Sequence, residues 1–178
     1  MPARWIQGAL VVLVATTSRA DDLDPDAAAY ARRSTTVFLS TELVPLPTVS
    51  AHGATDVTLR FHRFGGLAFA TRLGAAYAYS PLGGGDLLGV HTGLAVGYSF
   101  PLGRRLALTP MAAGDMFGYW ESGGVVGLMA LRATVEVPLS ILVFPHVVLE
   151  PFIQIGIAAI RGTPDFAFVF GPRIGIVL

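Results

Sequence analysis

The residues best placed to do chemistry in this chain are charged side chains that lie within apolar, alternating segments. We predict one group of eight, which share the same face as small neighbours: Glu42, Asp56, Arg60, Arg72, Arg132, Glu136, Glu150 and Arg173. Buried charges are tolerated only when they are paired. Two interpretations stay open, an internal salt-bridge network or a solute path with a charged constriction. Because four arginines nearly cancel four carboxylates, we expect the network, to which Asp115, His62 and His91 are possible additions.

Catalytic chemistry has weaker support in the sequence. Strand parity brings no Ser/His/acid set to one rim, and the four histidines lack the spacing of metal ligands. His52 with Ser50 is the only catalytic candidate in a loop, and the pair is better explained as solvent-exposed polar residues of that loop. The glycines at 83–85 lack the lysine of a phosphate-binding loop. We therefore expect no enzyme, no metal site and no cofactor.

The segments that position the charges alternate in a two-residue pattern. Over 67–79 and 88–100, bulky apolar residues alternate with Ala, Gly and a few polar residues, and a Gly-rich turn joins the two runs. This pattern predicts a β-hairpin. Each run is longer than the roughly 5–6 residues of a soluble strand and matches the roughly 9–11 residues with which a tilted strand crosses a bilayer.

Eight such strands are predicted, at 35–44, 55–64, 67–79, 88–100, 105–120, 125–137, 147–161 and 166–178. The fifth alternates least well, because Pro110 and the residues at 112–114 indicate an irregularity or a bulge, so its facing stays open. An even number of strands puts both chain ends on one side, as in bacterial outer-membrane barrels. The prediction is an all-β, up-and-down antiparallel transmembrane barrel.

The polarity of the two faces predicts which one meets lipid. A soluble barrel would carry long polar side chains on its second face, whereas that face is mostly Ala and Gly here. The mid-strand charges share this small face, and the bulky face has none. A cation on the lipid face costs about 2–4 kcal/mol at the midplane, so we expect the bulky face to point outward. An eight-stranded interior then has room only for packed side chains.

Composition and the first residues agree with export to a membrane. Hydrophobic residues make up 53% and charged residues 13% of the 178 residues, against roughly 25% charged in soluble domains. All twelve basic residues are Arg and balance twelve acids, so we expect no nucleic-acid partner. The absence of Cys excludes disulfides and thiolate metal sites. Residues 1–20 are predicted to be a cleaved signal peptide, with Arg4, an apolar core and a small-x-small end at Ala20.

The remaining domain boundaries follow from the predicted signal peptide and the predicted strands. Residues 21–34 are predicted to be a short, mobile periplasmic tail, with a helical turn in AAAYARR as the alternative, and residues 35–178 are predicted to be the barrel. Aromatic residues near the strand ends are predicted to form two girdles: Tyr77, Tyr79 and Trp120 at one end, and Tyr98 and Phe100 at the other.

Across the mature chain, this pattern resembles the small eight-stranded outer-membrane barrels of the OmpA-type, OmpX-type and OmpW-like families. The resemblance implies location in the bacterial outer membrane, contact with membrane lipid, insertion by the outer-membrane assembly machinery, and periplasmic chain ends. It also implies a structural or general membrane role. A narrow passive channel is the alternative, and a lipid-modifying enzyme is less favoured. The oligomeric state stays open.

Overall fold

The alternating segments form long antiparallel strands, and the sheet they make closes on itself. The computed structural model describes residues 26–32, 34–44, 51–80, 85–120, 126–160 and 163–178. One helix precedes the strands: α1 at Ala27–Arg32. The strands are β1 Ser34–Val44, β2 Ala51–Arg63, β3 Leu67–Ser80, β4 Gly85–Tyr98, β5 Phe100–Pro101, β6 Leu106–Leu108, β7 Met111–Trp120, β8 Val126–Phe144, β9 Val147–Ile160 and β10 Thr163–Val177.

Pairing between the first and last strands completes the barrel. Val37 of β1 lies opposite Leu59 of β2 on one side and Ile176 of β10 on the other. The short strands β5 and β6 pair with each other, and β6 continues the pairing of β7 along β8. The result is a closed eight-stranded antiparallel barrel, which confirms the predicted fold class.

The irregularity predicted in the fifth strand lies at Thr109 and Pro110, which separate β6 from β7. The two residues still hold the wall together, because Thr109 N donates to Pro138 O at 3.1 Å and Pro110 O accepts from Tyr98 N at 3.1 Å. From Met111 onward β7 alternates regularly between buried and exposed. Its facing is thereby settled, and Asp115 points inward.

The bulky apolar face points outward along the long strands other than β7, where Met111, Phe117 and Tyr119 are buried and Ala112 and Gly114 are exposed. Leu94, in the middle of β4, is 70% exposed, whereas its neighbours Gly93 and Ala95 are buried. Of the described outward positions between the two girdles, none carries a charge. The inward face carries the charged side chains with small residues, as the alternation predicts, and also several aromatic rings.

Helix α1 covers the barrel end at which β1 begins and β10 finishes, called here the terminus end; the opposite end is called the loop end. Asp26 Oδ1 accepts from Ala28 N at 2.9 Å and caps the helix. Ala27 N donates to Arg104 O at 2.9 Å. Tyr30 packs in an apolar cluster with Phe38 and Leu142.

The packing of α1 corrects the expectation of a mobile tail for residues 27–32, where the helical alternative holds. Apolar contact with the barrel orders a helix too short to be stable alone. Within the described residues, no helix has the length and apolar character needed to cross a membrane. The predicted signal peptide lies outside the described residues, as do the first part of the tail and most of the predicted loops.

Candidate functional site

The barrel interior brings together all eight charged residues predicted from the sequence. Each is at most 4% exposed: Glu42, Asp56, Arg60, Arg72, Arg132, Glu136, Glu150 and Arg173. They lie on six different strands at positions that share the inward parity. Residues far apart in sequence therefore meet in one lumen.

Arg132 joins two carboxylates near the loop end of the lumen. Its Nη1 and Nη2 donate to Glu42 Oε1 and Oε2 at 2.9 and 3.1 Å, a bidentate pair that reaches across the barrel. Its Nε and Nη2 also donate to Asp115 Oδ2 at 3.0 and 2.9 Å. Bidentate charge-assisted bonds of this kind are strong and fix the planar guanidinium in one orientation.

Asp115 continues the chain of ion pairs toward the middle of the lumen. Arg72 Nη1 donates to Asp115 Oδ1 at 3.1 Å, and Arg72 Nη2 donates to Glu136 Oε2. Gly93 lies opposite both Arg72 and Asp115 in the sheet. A Cβ at position 93 would collide with the Asp115 carboxylate, so glycine here makes the contact possible.

Glu136 and Glu150 complete the chain toward the terminus end. Arg173 Nη1 donates to Glu136 Oε1 at 2.5 Å and to Glu150 Oε1 at 3.1 Å. Arg60 then binds Glu150 through both terminal nitrogens, at 2.5 and 2.7 Å. Eight side chains thus alternate in charge without a break, in the order Glu42, Arg132, Asp115, Arg72, Glu136, Arg173, Glu150 and Arg60. We call these eight the ion-pair chain.

Asp56 is held by neutral donors and a histidine. Ser40 Oγ and Thr58 Oγ1 donate to its Oδ1 at 2.6 and 2.7 Å. His91 lies between this carboxylate and Asp115, with Nδ1 at 3.7 Å from Asp56 Oδ2 and Nε2 at 3.2 Å from Asp115 Oδ1. Asp56 was predicted to belong to the salt-bridge network, but the ion-pair chain does not include it. Asp115, which the sequence analysis named only as a possible addition, is the fourth carboxylate of the chain instead.

Inward aromatic rings fill the space beside the arginines, which the small-residue interpretation of this face missed. The guanidinium carbon of Arg173 lies 3.9 Å from the Phe152 ring centroid, and that of Arg60 lies 4.7 Å from Phe38. Phe117 stacks on His91 with centroids 4.5 Å apart. The available signal was parity, since Phe38 and Phe152 occupy the same alternate positions as the charges beside them.

Helix α1 is linked to the ion-pair chain through hydroxyl groups. Tyr30 Oη lies 3.5 Å from Ser140 Oγ, which in turn donates to Glu150 Oε2 at 2.6 Å. Ser34 Oγ donates to Tyr30 O at 2.9 Å and lies 2.8 Å from His62 Nδ1. Burial raises the pKa of the Tyr30 phenol above its ordinary value.

The predicted girdle residues whose side chains are described lie on the outer wall. Tyr77 and Trp120 lie at the loop end, and both are opposite Leu88 of β4. Tyr98 and Phe100 lie at the terminus end with ring centroids 4.9 Å apart. The side chain of Tyr79 is outside the described part.

The arginines and carboxylates of the interior neutralise one another. Within the described residues, no group of His, Cys, Asp and Glu has the geometry to hold a metal ion. Each carboxylate of the ion-pair chain accepts hydrogen bonds from an arginine, so its lone pairs are engaged by protein donors. The geometry therefore links seven strands of the barrel, β1 to β3 and β7 to β10, through buried ion pairs.

Comparison with known proteins identifies the fold and leaves the family open. No protein-family profile and no curated protein matches the sequence. Among solved structures, the chain is similar to Neisserial surface protein A, an eight-stranded outer-membrane β-barrel. The TM-score is 0.57 at 14% identity, covering 82% of this chain and 95% of the other. This chain has the fold of the small outer-membrane barrels.

Proposed function

We propose that this protein is an integral outer-membrane β-barrel with a structural role, and that its lumen is closed to solutes. The observation that carries the proposal is the ion-pair chain, which crosses the interior from Glu42 to Arg60 without a gap in charge pairing. The termini are proposed to face the periplasm, and insertion is proposed to depend on the outer-membrane assembly machinery.

The outer wall supports placement in a bilayer. Exposed Leu, Ile, Val and Phe side chains surround the barrel between the two aromatic girdles. Contiguous apolar surface of this extent is rare on soluble monomers and marks contact with lipid or another apolar partner. A closed barrel satisfies all backbone hydrogen bonds within the sheet, which is the condition for crossing hydrocarbon with strands.

The closed lumen is supported by two barriers in series. The ion-pair chain occupies the middle, and α1 with Tyr30 packs against Phe38 and Leu142 at the terminus end. A passing ion would have to separate buried pairs, and breaking one such pair costs about 3–5 kcal/mol. The two barriers together favour a closed barrel over a narrow passive channel. We assign the protein no catalytic role.

Conductance in planar lipid bilayers tests the closed lumen. We expect the wild-type protein to insert without unitary conductance steps. The matched variant replaces both members of one central pair, Glu136→Ser with Arg173→Ser, which removes side-chain volume and leaves the net charge unchanged. Because α1 would still cover the terminus end, Tyr30→Ala is added to this variant to weaken the second barrier as well. We expect steps from the combined variant, which would show that the assay detects an open lumen. Discrete steps from the wild-type protein would overturn closure and favour the passive channel.

A further inference from the structure

The outer rim of the terminus end combines exposed apolar side chains with arginines. Phe64 is 88% exposed and Leu102 is 57% exposed, and both lie in turns beyond the girdle of Tyr98 and Phe100. Phe144, at the end of β8, is also exposed. Apolar groups in these positions gain free energy only if something apolar covers them.

The turn that presents Phe64 is held in a strained conformation. Phe64 has a φ of 51°, which a bulky residue rarely adopts. The two glycines that follow are fastened to the neighbouring strand end, because Tyr98 Oη donates to Gly65 O at 2.7 Å and Ser99 N donates to Gly66 O at 2.8 Å. The barrel thus maintains a strained turn whose phenyl group points away from the protein.

Three arginines lie on the same rim. Arg63 precedes Phe64, and its Nη1 donates to His62 O at 2.8 Å, which orients the guanidinium along the outer edge. Arg104 and Arg105 are exposed in the turn between β5 and β6. Their carbonyls are fixed toward the barrel by Ala27 N and Leu142 N, at 2.9 and 2.8 Å. Arg104 has a further interaction of its own, so we call only Arg63 and Arg105 the basic collar.

Charge at this end is positive within the described residues. The ion-pair chain keeps its carboxylates inside the lumen, so they do not offset the collar at the surface. The exposed acid described at this end is Asp26, whose carboxylate caps α1. Arginine binds phosphate oxygens through its planar fork of donors. Basic residues beside apolar anchors at a membrane surface attract anionic lipids.

We propose that the basic collar binds the phosphate groups of anionic phospholipids in the surrounding leaflet, with Phe64 and Leu102 inserted between the lipids. The inference rests on the proposed membrane location and adds a lipid class to it. The collar sets the depth of the barrel in the bilayer, because phosphate groups lie at a fixed level above the acyl chains.

Lipid binding to the folded full-length protein tests the collar. The protein is held in non-ionic detergent and titrated separately with phosphatidylglycerol, phosphatidylcholine and inorganic phosphate, and bound lipid is counted by native mass spectrometry. We expect preferential binding of phosphatidylglycerol. Each arginine near a membrane surface contributes about a fivefold change in binding, so Arg105→Gln should weaken it about fivefold.

The matched control is Arg32→Gln, which removes the same charge from an exposed residue in the last turn of α1, outside the turn that carries Arg105. We expect this variant to bind phosphatidylglycerol as the wild type does. Equal loss in Arg32→Gln and Arg105→Gln would overturn the collar in favour of net charge alone. Competition by inorganic phosphate at equal concentration would overturn lipid as the ligand.

Extraction of liposome-reconstituted protein with alkaline carbonate separates this inference from the proposed function. Protein that resists extraction but binds phosphatidylglycerol and phosphatidylcholine equally overturns the collar alone. Protein that is extracted overturns the membrane location, and the collar with it.

Discussion

The inner and outer walls of this barrel are built from alternate residues of the same strands, yet their side chains meet different requirements. On β8, Arg132 and Glu136 are buried in ion pairs, whereas Leu131 and Val135 between and beside them are more than half exposed. The inner wall depends on geometry, because each charge needs a partner at hydrogen-bond distance. The outer wall depends on polarity alone, because lipid adapts to any apolar shape.

This difference predicts where substitutions are tolerated. An outer position accepts any apolar side chain, and the main error there is a charge. An inner position of the ion-pair chain accepts few changes, because the neighbours of a removed group remain buried and charged. Substitutions on adjacent residues of one strand should therefore have unequal effects.

The largest effect is expected at Glu136, which accepts from Arg72, Arg173 and Gln154. Glu136→Ala leaves buried guanidinium groups without their carboxylate, so we expect the free energy of unfolding to fall by about 3–5 kcal/mol. Urea unfolding in detergent, followed by the slower electrophoretic migration of the unfolded barrel, measures this change.

The neighbouring Val135→Ala is the control for this comparison, because Val135 faces outward on the same strand. We expect its effect to stay below about 1 kcal/mol. Equal effects of the two substitutions would contradict the distinction between the walls and show that the ion-pair chain contributes little to stability.

A charge on the outer wall gives the next largest effect. Leu94 lies between the level of Tyr98 and that of Leu88 on β4 and is exposed. Leu94→Arg places a cation near the middle of the apolar band, so we expect a loss of about 2–4 kcal/mol in lipid vesicles. Leu102→Arg, beyond the girdle, should cost only about 0–1 kcal/mol. The same unfolding measurement in vesicles compares them, and equal costs would mean that Leu94 is not surrounded by hydrocarbon.

The sequence predicts the fold well because a lipid-facing barrel has a two-residue period that propensity and polarity both enforce. The strand order follows from the up-and-down arrangement of strands joined by turns, and the inward position of Arg72, Arg132 and Arg173 follows from parity. The break at Pro110 was also visible, since proline cannot donate to the ladder. The facing of β7 could not be predicted, because outward Ala112 and Gly114 have lost the contrast in size between the two faces.

The partners within the lumen could not be predicted from parity, which places a residue inside without giving its depth or its neighbour across the barrel. Arg132 and Glu42 lie 90 positions apart in sequence, and they pair because of the strand stagger. Asp115 was harder to recognise, because its strand was ambiguous. Helix α1 is ordered because Tyr30 packs against the barrel, and these tertiary contacts could not be predicted from the sequence of a six-residue helix.

The smallest predicted effect concerns Tyr30 of α1, the helix that covers the terminus end where the inner and outer walls meet. Burial raises the pKa of Tyr30 above its ordinary value of 10.0, so the folded state keeps the phenol protonated when the unfolded chain ionises. Stability contributed by this group is present below about pH 10 and is lost as pH rises toward the folded value. Between about pH 9 and pH 11 we expect the wild type to lose more stability than Tyr30→Phe, which has no proton to release, with a limit of about 1.4 kcal/mol per pH unit. Unfolding free energies at the two pH values measure the difference, and parallel losses in both proteins would show that the phenol reaches water and that α1 does not seal this end.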